Sequence, residues 1–240
     1  EMYIGTIHGY ANLLLTESGI STATIRQEEN FDQLFNEVMY NPKCIRPVDF
    51  LALDEAQDSS ALHYEFILDV VQPERWIFFG DERQSIYGFN NASPESFRSL
   101  TMQEDVMTYY LNENYRCGKR IVELGNRLAV NAVKRPLPPA SPARDDFGKV
   151  IELKTSSDVI TQISKAKDFR GTAVLCRTNR KVGEVIHQLT RKGIPTITYK
   201  QGDNTIEELE AKNRMDAVKV LTIHSAKGLE FDNVFLMELE

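Results

Sequence analysis

The stretch FLALDEAQDSSA, residues 50–61, decides the fold, because an apolar run passes into a polar cluster without a turn signal. Phe50–Leu53 is apolar, and Asp54 and Glu55 follow it directly. A short apolar run that ends in adjacent acids is typical of a buried parallel strand. Such a strand delivers its polar residues to the carboxyl edge of the sheet, where open α/β sheets bind ligands.

Three further apolar runs end in polar or glycine-containing clusters, namely Trp76–Phe79, Thr172–Cys176 and Val218–Thr222. The segments between the runs have helical periodicity. One apolar stripe contains Leu62, Phe66, Ile67 and Val70, and another contains Val182, Val185, Ile186 and Leu189, with Gly193 ending the second helix. This alternation predicts an α/β fold in which parallel sheets are flanked by helices.

Composition excludes some classes of function. The chain has 240 residues, of which 42% are hydrophobic and 26% charged, and no apolar run is long enough to cross a bilayer. We therefore predict no membrane partner. The net charge of −7 argues against a surface that coats nucleic acid without specificity, so nucleic-acid binding would require a local groove.

The three cysteines, Cys44, Cys117 and Cys176, match no zinc spacing and predict thiols in a reducing compartment. The chain opens without the ordered segments of a secretion signal, and we predict a cytoplasmic location. It begins in patterned sequence and ends on the strand-like run Val234–Met237, which predicts that it is part of a longer chain.

We place a domain boundary near Tyr109, because the strand-like run MTYYL, residues 107–111, leads into the polar cluster NENYR. The predicted domains are therefore residues 1–109 and 110–240. The proline-rich stretch 134–148 has no periodicity and is predicted to be a surface loop inside the second domain.

Adjacent carboxylates at a strand end suit metal-assisted phosphoryl chemistry. One acid holds Mg²⁺, and its neighbour orients or deprotonates an attacking water, which makes Asp54 and Glu55 candidates. The alternative is that these acids belong to a helix N-terminus capped by Asp58 or Ser59, where acids also favour the helix dipole.

The cluster GDERQSIYGF, residues 80–89, follows the second strand. Gln84 offers an amide that could sense a phosphate or a water. Tyr87 and Phe89 offer rings that could stack on the bases of single-stranded nucleic acid. The alternative is that both rings belong to the core.

Two more clusters combine polar groups suited to nucleic acid or phosphate. In NENYRCGKR, Tyr115 could stack on a base while Arg116 reaches a phosphate, although a solvated basic helix start is the alternative. In TIHSAKGLEF, residues 222–231, short hydroxyl, imidazole and backbone donors suit phosphate contacts. His224 could equally be an ordinary polar residue at a strand end.

In this order the clusters resemble the motifs of the UvrD/Rep-like family of superfamily 1 DNA helicases. TIHGYA resembles the family's TFHxxA element, DEAQD its motif II, GDERQSIYGF its motif III, NYR its motif IV and TIHSAKGLEF its motif V. The resemblance spans Thr6 to Phe231 and implies two RecA-like domains. ATP would bind in the cleft between them, and single-stranded DNA would run across both.

The resemblance also implies roles for individual residues. Asp54 would hold Mg²⁺, Glu55 would activate the hydrolytic water, and Gln84 would contact the γ-phosphate or that water. Tyr115 would stack on adenine and Arg116 would approach the γ-phosphate. The remaining implied contacts are Gly228 and Glu230 near the nucleotide, and Thr6, His8, Tyr87, Phe89, Thr222 and His224 along the DNA path.

Four departures from the family pattern limit these expectations. No GxxxxGK[ST] phosphate loop occurs in the 240 residues, and the arginine-bearing motif VI is also absent, so we expect inefficient ATP hydrolysis by this chain alone. Asn90 stands where the family often has arginine. The short spacings predict that the family's large inserted subdomains are absent or reduced.

Two functions therefore remain open at this stage. The first is the core of an ATP-dependent helicase that acts on single-stranded DNA and duplex–single-strand junctions. The second is a non-hydrolysing, helicase-like module that binds DNA or a partner protein whose identity the sequence does not give. The retained set of Asp54, Glu55, Gln84 and Arg116 favours the enzyme.

Overall fold

A computed structural model of the chain describes residues 2–22, 31–85, 94–130, 137–199, 211–212 and 214–237. The chain forms two compact units, Glu1–Lys149 and Val150–Glu240. This division falls later in the chain than the predicted boundary near Tyr109. That boundary concerns the separation of two motor domains, and it stays a prediction.

The first unit alternates helices with short strands. Its three-residue 3₁₀ turns are Pro42–Cys44, Ala56–Asp58 and Glu82–Gln84. A π-helical segment, Ile67–Val71, continues the third helix. In chain order the helices and strands are α1 Ile7–Glu17, α2 Phe31–Met39, β1 Phe50–Leu53, α3 Ala61–Phe66, β2 Arg75–Phe78, α4 Pro94–Leu100, β3 Glu113–Asn114, α5 Lys119–Ala129 and β4 Ser141–Pro142.

The second unit has the same alternation of helix and strand. A 3₁₀ turn, His224–Ala226, follows its third strand. The helices and strands are α6 Ser156–Ile163, β5 Thr172–Cys176, α7 Asn179–Arg191, β6 Thr196–Ile197, β7 Val218–Thr222 and β8 Asn233–Leu236.

Every strand pair in the described residues is parallel. In the first unit β1 pairs with β2, and β3 pairs with β4. In the second unit the four-stranded sheet has the order β6-β7-β5-β8. The predicted α/β fold with parallel sheets flanked by helices is confirmed.

Most of the strands predicted from apolar runs agree with the structure. β1, β5 and β7 have the predicted bounds, whereas β2 begins and ends one residue earlier than the predicted run Trp76–Phe79. The strand predicted at residues 107–111 is wrong, because this segment forms no ladder and its side chains are exposed. The nearby strand is instead β3, which has two residues.

The main core of the first unit lies between its helices and one face of the β1–β2 pair. Phe35 and Val38 of α2 are fully buried against Leu15 of α1 and Phe66 of α3. The predicted stripe on residues 62–70 faces this core. A second cluster, formed by Ala56, Tyr64, Phe97 and Leu100, packs against Leu53 and Phe78 and supports the turn that follows β1.

The core of the second unit is built from the central strands and two helices. Val174 of β5 and Val218 and Val220 of β7 are fully buried. They pack with Val185 and Leu189 of α7, which lie on the predicted stripe. The helix ends where predicted, since Lys192 is its C-cap and Gly193 follows with a left-handed φ of 70°.

Cys44, Cys117 and Cys176 form no disulfide with one another. Within the described ranges, no helix combines the length and the apolar character needed to cross a membrane.

Candidate functional site

The polar clusters that follow β1 and β2 lie side by side. Leu53 pairs with Phe78 at the end of the parallel ladder. Beyond this pair, the Phe79 N–H donates to the Leu53 carbonyl at 2.8 Å, and the Ala56 N–H donates to the Phe79 carbonyl at 2.9 Å. The segments that follow β1 and β2 therefore stay in contact as they leave the sheet, and DEAQD and GDERQ share one carboxyl edge.

Glu55 has a left-handed backbone with φ 51° and ψ 38°. This conformation is uncommon for a residue that carries a side chain, and strain of this kind concentrates at functional sites. Its N–H donates to Oδ1 of Asp54 at 2.9 Å, and both side chains are exposed. The bend after β1 therefore presents two adjacent carboxylates to solvent.

Asp81 organises the turn that follows β2. Its Oδ1 accepts from the Arg83 N–H at 3.1 Å and from Arg83 Nε at 2.8 Å, and its Oδ2 accepts from Gln84 Nε2 at 3.1 Å. Burial alone would raise the pKa of Asp81, but the hydrogen bonds from Arg83 and Gln84 outweigh burial and lower the pKa below its ordinary value. The carboxylate is therefore held ionised.

Arg83 also contacts a segment of the same unit that is distant in sequence. Its Nη1 donates to the carbonyl of Pro138 at 3.3 Å, in the segment that leads into β4. Next to it, Glu82 has a side chain only 2% exposed and pairs with Arg98 Nε of α4 at 3.1 Å. The side chains of Glu82 and Arg83, which follow Asp81, are thus held by contacts with neighbouring segments, whereas the side chain of Gln84 is exposed.

Gln57 joins the two turns and has no role in the sequence-based predictions. Its side chain is buried, its Nε2 donates to Oε2 of Glu55 at 2.6 Å, and its Oε1 accepts from the Asp81 N–H at 3.0 Å. The signal in the sequence is a polar residue two positions after Glu55, on a turn that must pack against the next strand. Burial, which only the structure gives, distinguishes it from its neighbours.

The polar cluster is not a helix N-terminus capped by Asp58 or Ser59. Residues 56–58 form a 3₁₀ turn, and Ser60 is the N-cap of α3. Ser60 Oγ accepts from the His63 N–H at 3.3 Å, and His63 Nδ1 accepts from the Ser60 N–H at 3.2 Å. The strand-end interpretation is therefore correct for Asp54 and Glu55, and α3 begins at Ala61, six residues after Glu55.

The donor set after β1 suits a hard cation that is held partly by a substrate. Asp54 supplies one exposed carboxylate at the strand end, and Mg²⁺ is usually bound through one or two carboxylates together with substrate phosphates and water. Within the described part of the chain, no three His, Cys, Asp or Glu side chains come together to form a protein-only metal site. Asp54 thus fits Mg²⁺ that arrives with a nucleotide.

Thr6 and His8 lie at the start of α1. Thr6 is the N-cap, and its Oγ1 accepts from the Gly9 N–H at 3.0 Å. The rings of His8, Phe35 and His63 pack together. The centroid of the His8 ring lies 5.0 Å from the centroid of the Phe35 ring and 5.0 Å from that of the His63 ring. Thr6 is exposed and His8 half-buried, so TIHGYA combines a structural cap with a partly accessible imidazole.

Burial changes the acidity of both imidazoles. Desolvation lowers the pKa of His63 to about 4, with a smaller lowering from His8 and an opposing effect of Asp32. Burial also lowers the pKa of His8, again against the effect of Asp32. The pKa values of both rings are thus lowered from 6.5, which favours the neutral imidazole in the folded chain.

Tyr87 and Phe89, the two rings predicted to stack on DNA, lie outside the described residues, as does Asn90. Their predicted roles stay predictions.

Tyr115 and Arg116 follow β3 on a tight turn. Asn114 Oδ1 accepts from the N–H groups of Arg116 at 3.1 Å and of Cys117 at 2.8 Å. The carbonyl of Arg116 accepts from Arg144 Nη1 at 2.9 Å. The backbone of Arg116 is therefore held on both sides, while its side chain is exposed.

The Tyr115 ring is 70% exposed, and its hydroxyl donates to Glu113 Oε2. This hydrogen bond raises the pKa of Tyr115. The ring is exposed, and its role in base binding stays a prediction. The basic helix start is also present, since Gly118 is the N-cap of α5 and Lys119 and Arg120 are its first residues.

In the second unit, Thr222 and His224 lie at the carboxyl end of β7. The hydroxyls of Thr222 and Ser225 hydrogen-bond at 2.9 Å, and the Ser225 N–H donates to Thr222 Oγ1 at 3.1 Å. His224 opens the 3₁₀ turn and is half-buried. The turn thus places a hydroxyl, an imidazole and backbone donors at one strand end.

Gly228 and Glu230 follow this turn. Gly228 has a left-handed φ of 79°, and a Cβ at this position would meet no atom within 4 Å. Glycine is therefore selected by backbone conformation rather than by local crowding. Both residues are exposed.

Comparison with known proteins identifies two regions of the chain. Residues 30–105 match the UvrD/REP helicase N-terminal domain, and residues 202–240 match the UvrD-like helicase C-terminal domain. The first match contains DEAQD and GDERQSIYGF, and the second contains TIHSAKGLEF. TIHGYA and NYR lie outside both matches.

Three curated relatives are DNA helicases by name. The chain is 31% identical over 110 residues to the ATP-dependent DNA helicase srs2 of Schizosaccharomyces pombe, covering 44% of this chain and 12% of the relative. It is 27% identical over 198 residues to the mitochondrial ATP-dependent DNA helicase HMI1 of Saccharomyces cerevisiae, covering 72% and 28%. It is 27% identical over 210 residues to a probable DNA helicase of Mycoplasma pneumoniae, covering 80% and 36%. The chain thus spans little more than a third of these relatives at most.

Proposed function

We propose, because the chain belongs to the UvrD/Rep-like family of superfamily 1 helicases, that it forms the motor core of an ATP-dependent DNA helicase. One observation carries the proposal. The parallel pair β1–β2 brings Asp54 and Glu55 to the same edge as Asp81 and Gln84, and a buried amide joins the two turns. Such an edge is where α/β proteins bind nucleotides.

In this function Asp54 binds the Mg²⁺ of Mg-ATP through its exposed carboxylate. When bound, the cation neutralises charge on the β- and γ-phosphates. Glu55 orients a water against the γ-phosphate and accepts its proton as the oxygen–phosphorus bond forms and ADP leaves. Gln84 exchanges its hydrogen bond with Asp81 for one with the γ-phosphate or the water.

The other candidate residues complete nucleotide binding. Tyr115 stacks on adenine with its exposed ring, and Arg116 places a guanidinium on the γ-phosphate. The resemblance also implies nucleotide contacts of Gly228 and Glu230, which are exposed. We retain the division into motor domains 1–109 and 110–240 as part of the proposal, since Tyr115 and Arg116 act from the second domain in the family that the motifs resemble.

Single-stranded DNA and duplex–single-strand junctions are the proposed partners. Thr6 and His8 in the first unit and Thr222 and His224 in the second offer hydroxyl and imidazole groups for contacts with the DNA backbone. Tyr87 and Phe89 supply stacking. Because the net charge is −7, we assign much of the affinity to these short-range contacts rather than to long-range attraction.

A non-hydrolysing module that binds DNA or a partner protein is the second candidate. The feature that distinguishes it is whether the complete reading frame supplies the GxxxxGK[ST] loop, which these 240 residues do not contain. Backbone donors and a lysine from such a loop supply much of the electrostatic stabilisation in phosphoryl transfer. We therefore expect negligible turnover from the 240-residue chain alone.

The test compares the protein encoded by the complete reading frame with the 240-residue chain. Phosphate release is measured with ATP, with and without Mg²⁺ and single-stranded DNA. The helicase proposal expects Mg²⁺-dependent turnover that DNA stimulates in the complete protein. DNA binding by the complete protein without any ATP turnover would support the binding module instead.

The cytoplasmic location stays a prediction. One relative is named as a mitochondrial helicase, whereas others come from bacteria. The direction of movement on DNA is tested separately, by unwinding of substrates that carry either a 3′ or a 5′ single-stranded tail.

A further inference from the structure

Gln57 is a buried polar side chain between two turns that carry candidate catalytic groups. It is 1% exposed, and its side-chain amide bridges Glu55 Oε2 at 2.6 Å and the Asp81 N–H at 3.0 Å. The first turn follows β1 and the second follows β2. Gln57 is therefore the side chain through which the backbone after β2 contacts the carboxylate of Glu55.

The two neighbours fix the orientation of this amide. An ionised carboxylate only accepts hydrogen bonds, and a backbone N–H only donates one. Nε2 must therefore face Glu55, and Oε1 must face Asp81. An amide rotated by 180° would place two acceptors together at Glu55 and two donors together at Asp81.

Close packing prevents the amide from moving aside. A Cβ on Gly80 would lie 2.7 Å from Gln57 Oε1 and 2.9 Å from a ring carbon of Phe97. Ser85 Oγ donates to the backbone carbonyl of Gln57 at 3.3 Å. The neighbouring carbonyl of Ala56 accepts from the buried Tyr64 hydroxyl at 2.6 Å. The turn that carries Gln57 is thus held from several sides.

We propose that Gln57 is a positioning residue for ATP hydrolysis, which fixes the direction of the Glu55 carboxylate and couples it to the turn Asp81–Gln84. This inference rests on the proposed function, in which Glu55 receives the proton of the attacking water. Glu55 has a left-handed backbone and an exposed side chain, and the hydrogen bond from Gln57 Nε2 restrains the direction of its carboxylate. When Gln84 changes partner, the shift of its turn reaches Glu55 through the Asp81 N–H and the Gln57 amide.

The first test is Gln57→Glu in the complete protein, assayed for DNA-stimulated phosphate release between pH 5.5 and 8.5. At high pH the added carboxylate cannot donate to Glu55 and repels it, so we expect kcat to fall by about tenfold to a hundredfold, with the KM for ATP little changed. At low pH the added carboxyl gains a proton and donates again. The ratio of variant to wild-type kcat should therefore rise as the pH falls.

Gln57→Met provides the comparison without a donor at any pH. It keeps a similar length, and we expect a low kcat over the whole range without recovery in acid. Gln103→Glu is the matched control for added charge, since Gln103 is exposed and lies in a turn of the same unit. This control should keep the wild-type rate and pH profile.

Gly80→Ala tests the same bridge without removing the amide, and it serves if the Gln57 variants do not fold. The new methyl group would collide with Gln57 Oε1 and displace the amide, so we expect kcat to fall although Gln57 itself is not substituted. Gly125→Ala is its control, because a Cβ there meets no atom within 4 Å. Thermal melts and circular dichroism establish that each assayed variant is folded.

The outcomes separate the inference from the proposed function. If the wild-type protein has no DNA-stimulated turnover, the proposed function fails. If the wild type is active and folded Gln57 and Gly80 variants keep its kcat and pH profile, Gln57 has no positioning role. A reduced kcat of Gln57→Glu without recovery in acid also overturns the inference, because the lost hydrogen-bond donor would then not be the cause.

Discussion

Gln84 Nε2 donates a hydrogen bond of 3.1 Å to Oδ2 of Asp81, so the amide predicted to sense phosphate lies against its own turn in this structure. Asp81 also receives two hydrogen bonds from Arg83, both at Oδ1, and it keeps these two partners if Gln84 moves away. Gln84 is exposed, and in the proposed function it exchanges its bond with Asp81 for one with the nucleotide.

We expect Gln84→Ala to lower kcat of the complete protein by about a hundredfold, the loss typical of removing one preorganised donor to developing charge. Its thermal midpoint should change little, because Gln84 is exposed. Steady-state phosphate release and a thermal melt measure the two quantities. Gln103→Ala is the control for loss of an exposed amide, and an equal kcat for the two variants would remove Gln84 from the site.

Glu55→Gln should abolish turnover and leave nucleotide binding intact. The substitution removes the group that accepts a proton in the transition state, so kcat should fall by at least about a hundredfold while the Kd for nucleotide stays within a few fold. Titration with a fluorescent nucleotide and phosphate release distinguish the two effects. Glu65→Gln, an exposed change on α3, should behave as wild type. An unchanged kcat for Glu55→Gln contradicts its assigned role.

The sequence predicts those features of the site that neighbouring residues determine. An apolar run of four or five residues followed by polar residues marks β1, β5 and β7 at their correct bounds, because the end of a strand is encoded locally. Burial is not, since the strand predicted to be buried at β1 has Phe50 57% exposed, whereas β5 and β7 are buried. The same rule fails at residues 107–111. Their apolar side chains stay exposed, because no strand pairs with them in the described residues.

Contacts between segments that are distant in sequence cannot be predicted from such local patterns. The bridge of Gln57 between Glu55 and Asp81 depends on the register of two strands that lie more than twenty residues apart in sequence. The packing of His63 against His8 likewise depends on how α1 meets α3. The sequence identifies the polar residues at each strand end, and the structure identifies which side chains contact one another.

Tyr64→Phe should destabilise the first unit through the turn that follows β1. The Tyr64 hydroxyl is buried and donates to the Ala56 carbonyl at 2.6 Å. Its removal leaves a buried carbonyl without this donor, which costs about 1–3 kcal/mol in the free energy of unfolding. Urea titration followed by circular dichroism measures the change. Tyr40→Phe, at a tyrosine that is 86% exposed, should cost nothing measurable, and equal stabilities would refute the role of the buried hydroxyl.

Stability should fall on mild acidification because of His63. Its pKa is about 4 in the folded chain and 6.5 when unperturbed, so the unfolded chain binds more protons between these values. The contribution to stability is fully present above pH 6.5 and is lost as the pH falls toward 4. In His63→Asn, an amide oxygen can still accept from the Ser60 N–H but does not titrate. Thermal midpoints from pH 4.5 to 7.5 should depend less on pH in this variant, and an unchanged slope would exclude His63 as the cause.

Stacking by Tyr87 and Phe89 should carry a real share of DNA affinity. With a net charge of −7, long-range attraction supplies little, and alanine at either ring should weaken binding of single-stranded DNA by about 1–3 kcal/mol. The salt dependence should change little, because no phosphate contact is lost. Fluorescence anisotropy at several salt concentrations measures both quantities in the complete protein, with Tyr40→Ala as the control for loss of an exposed ring.

If the two rings instead belong to the core, an alanine variant at either position has a cavity, and its thermal midpoint falls by several degrees. Lower stability with unchanged DNA affinity would remove both rings from the DNA path and leave Thr6, His8, Thr222 and His224 as the residues to test.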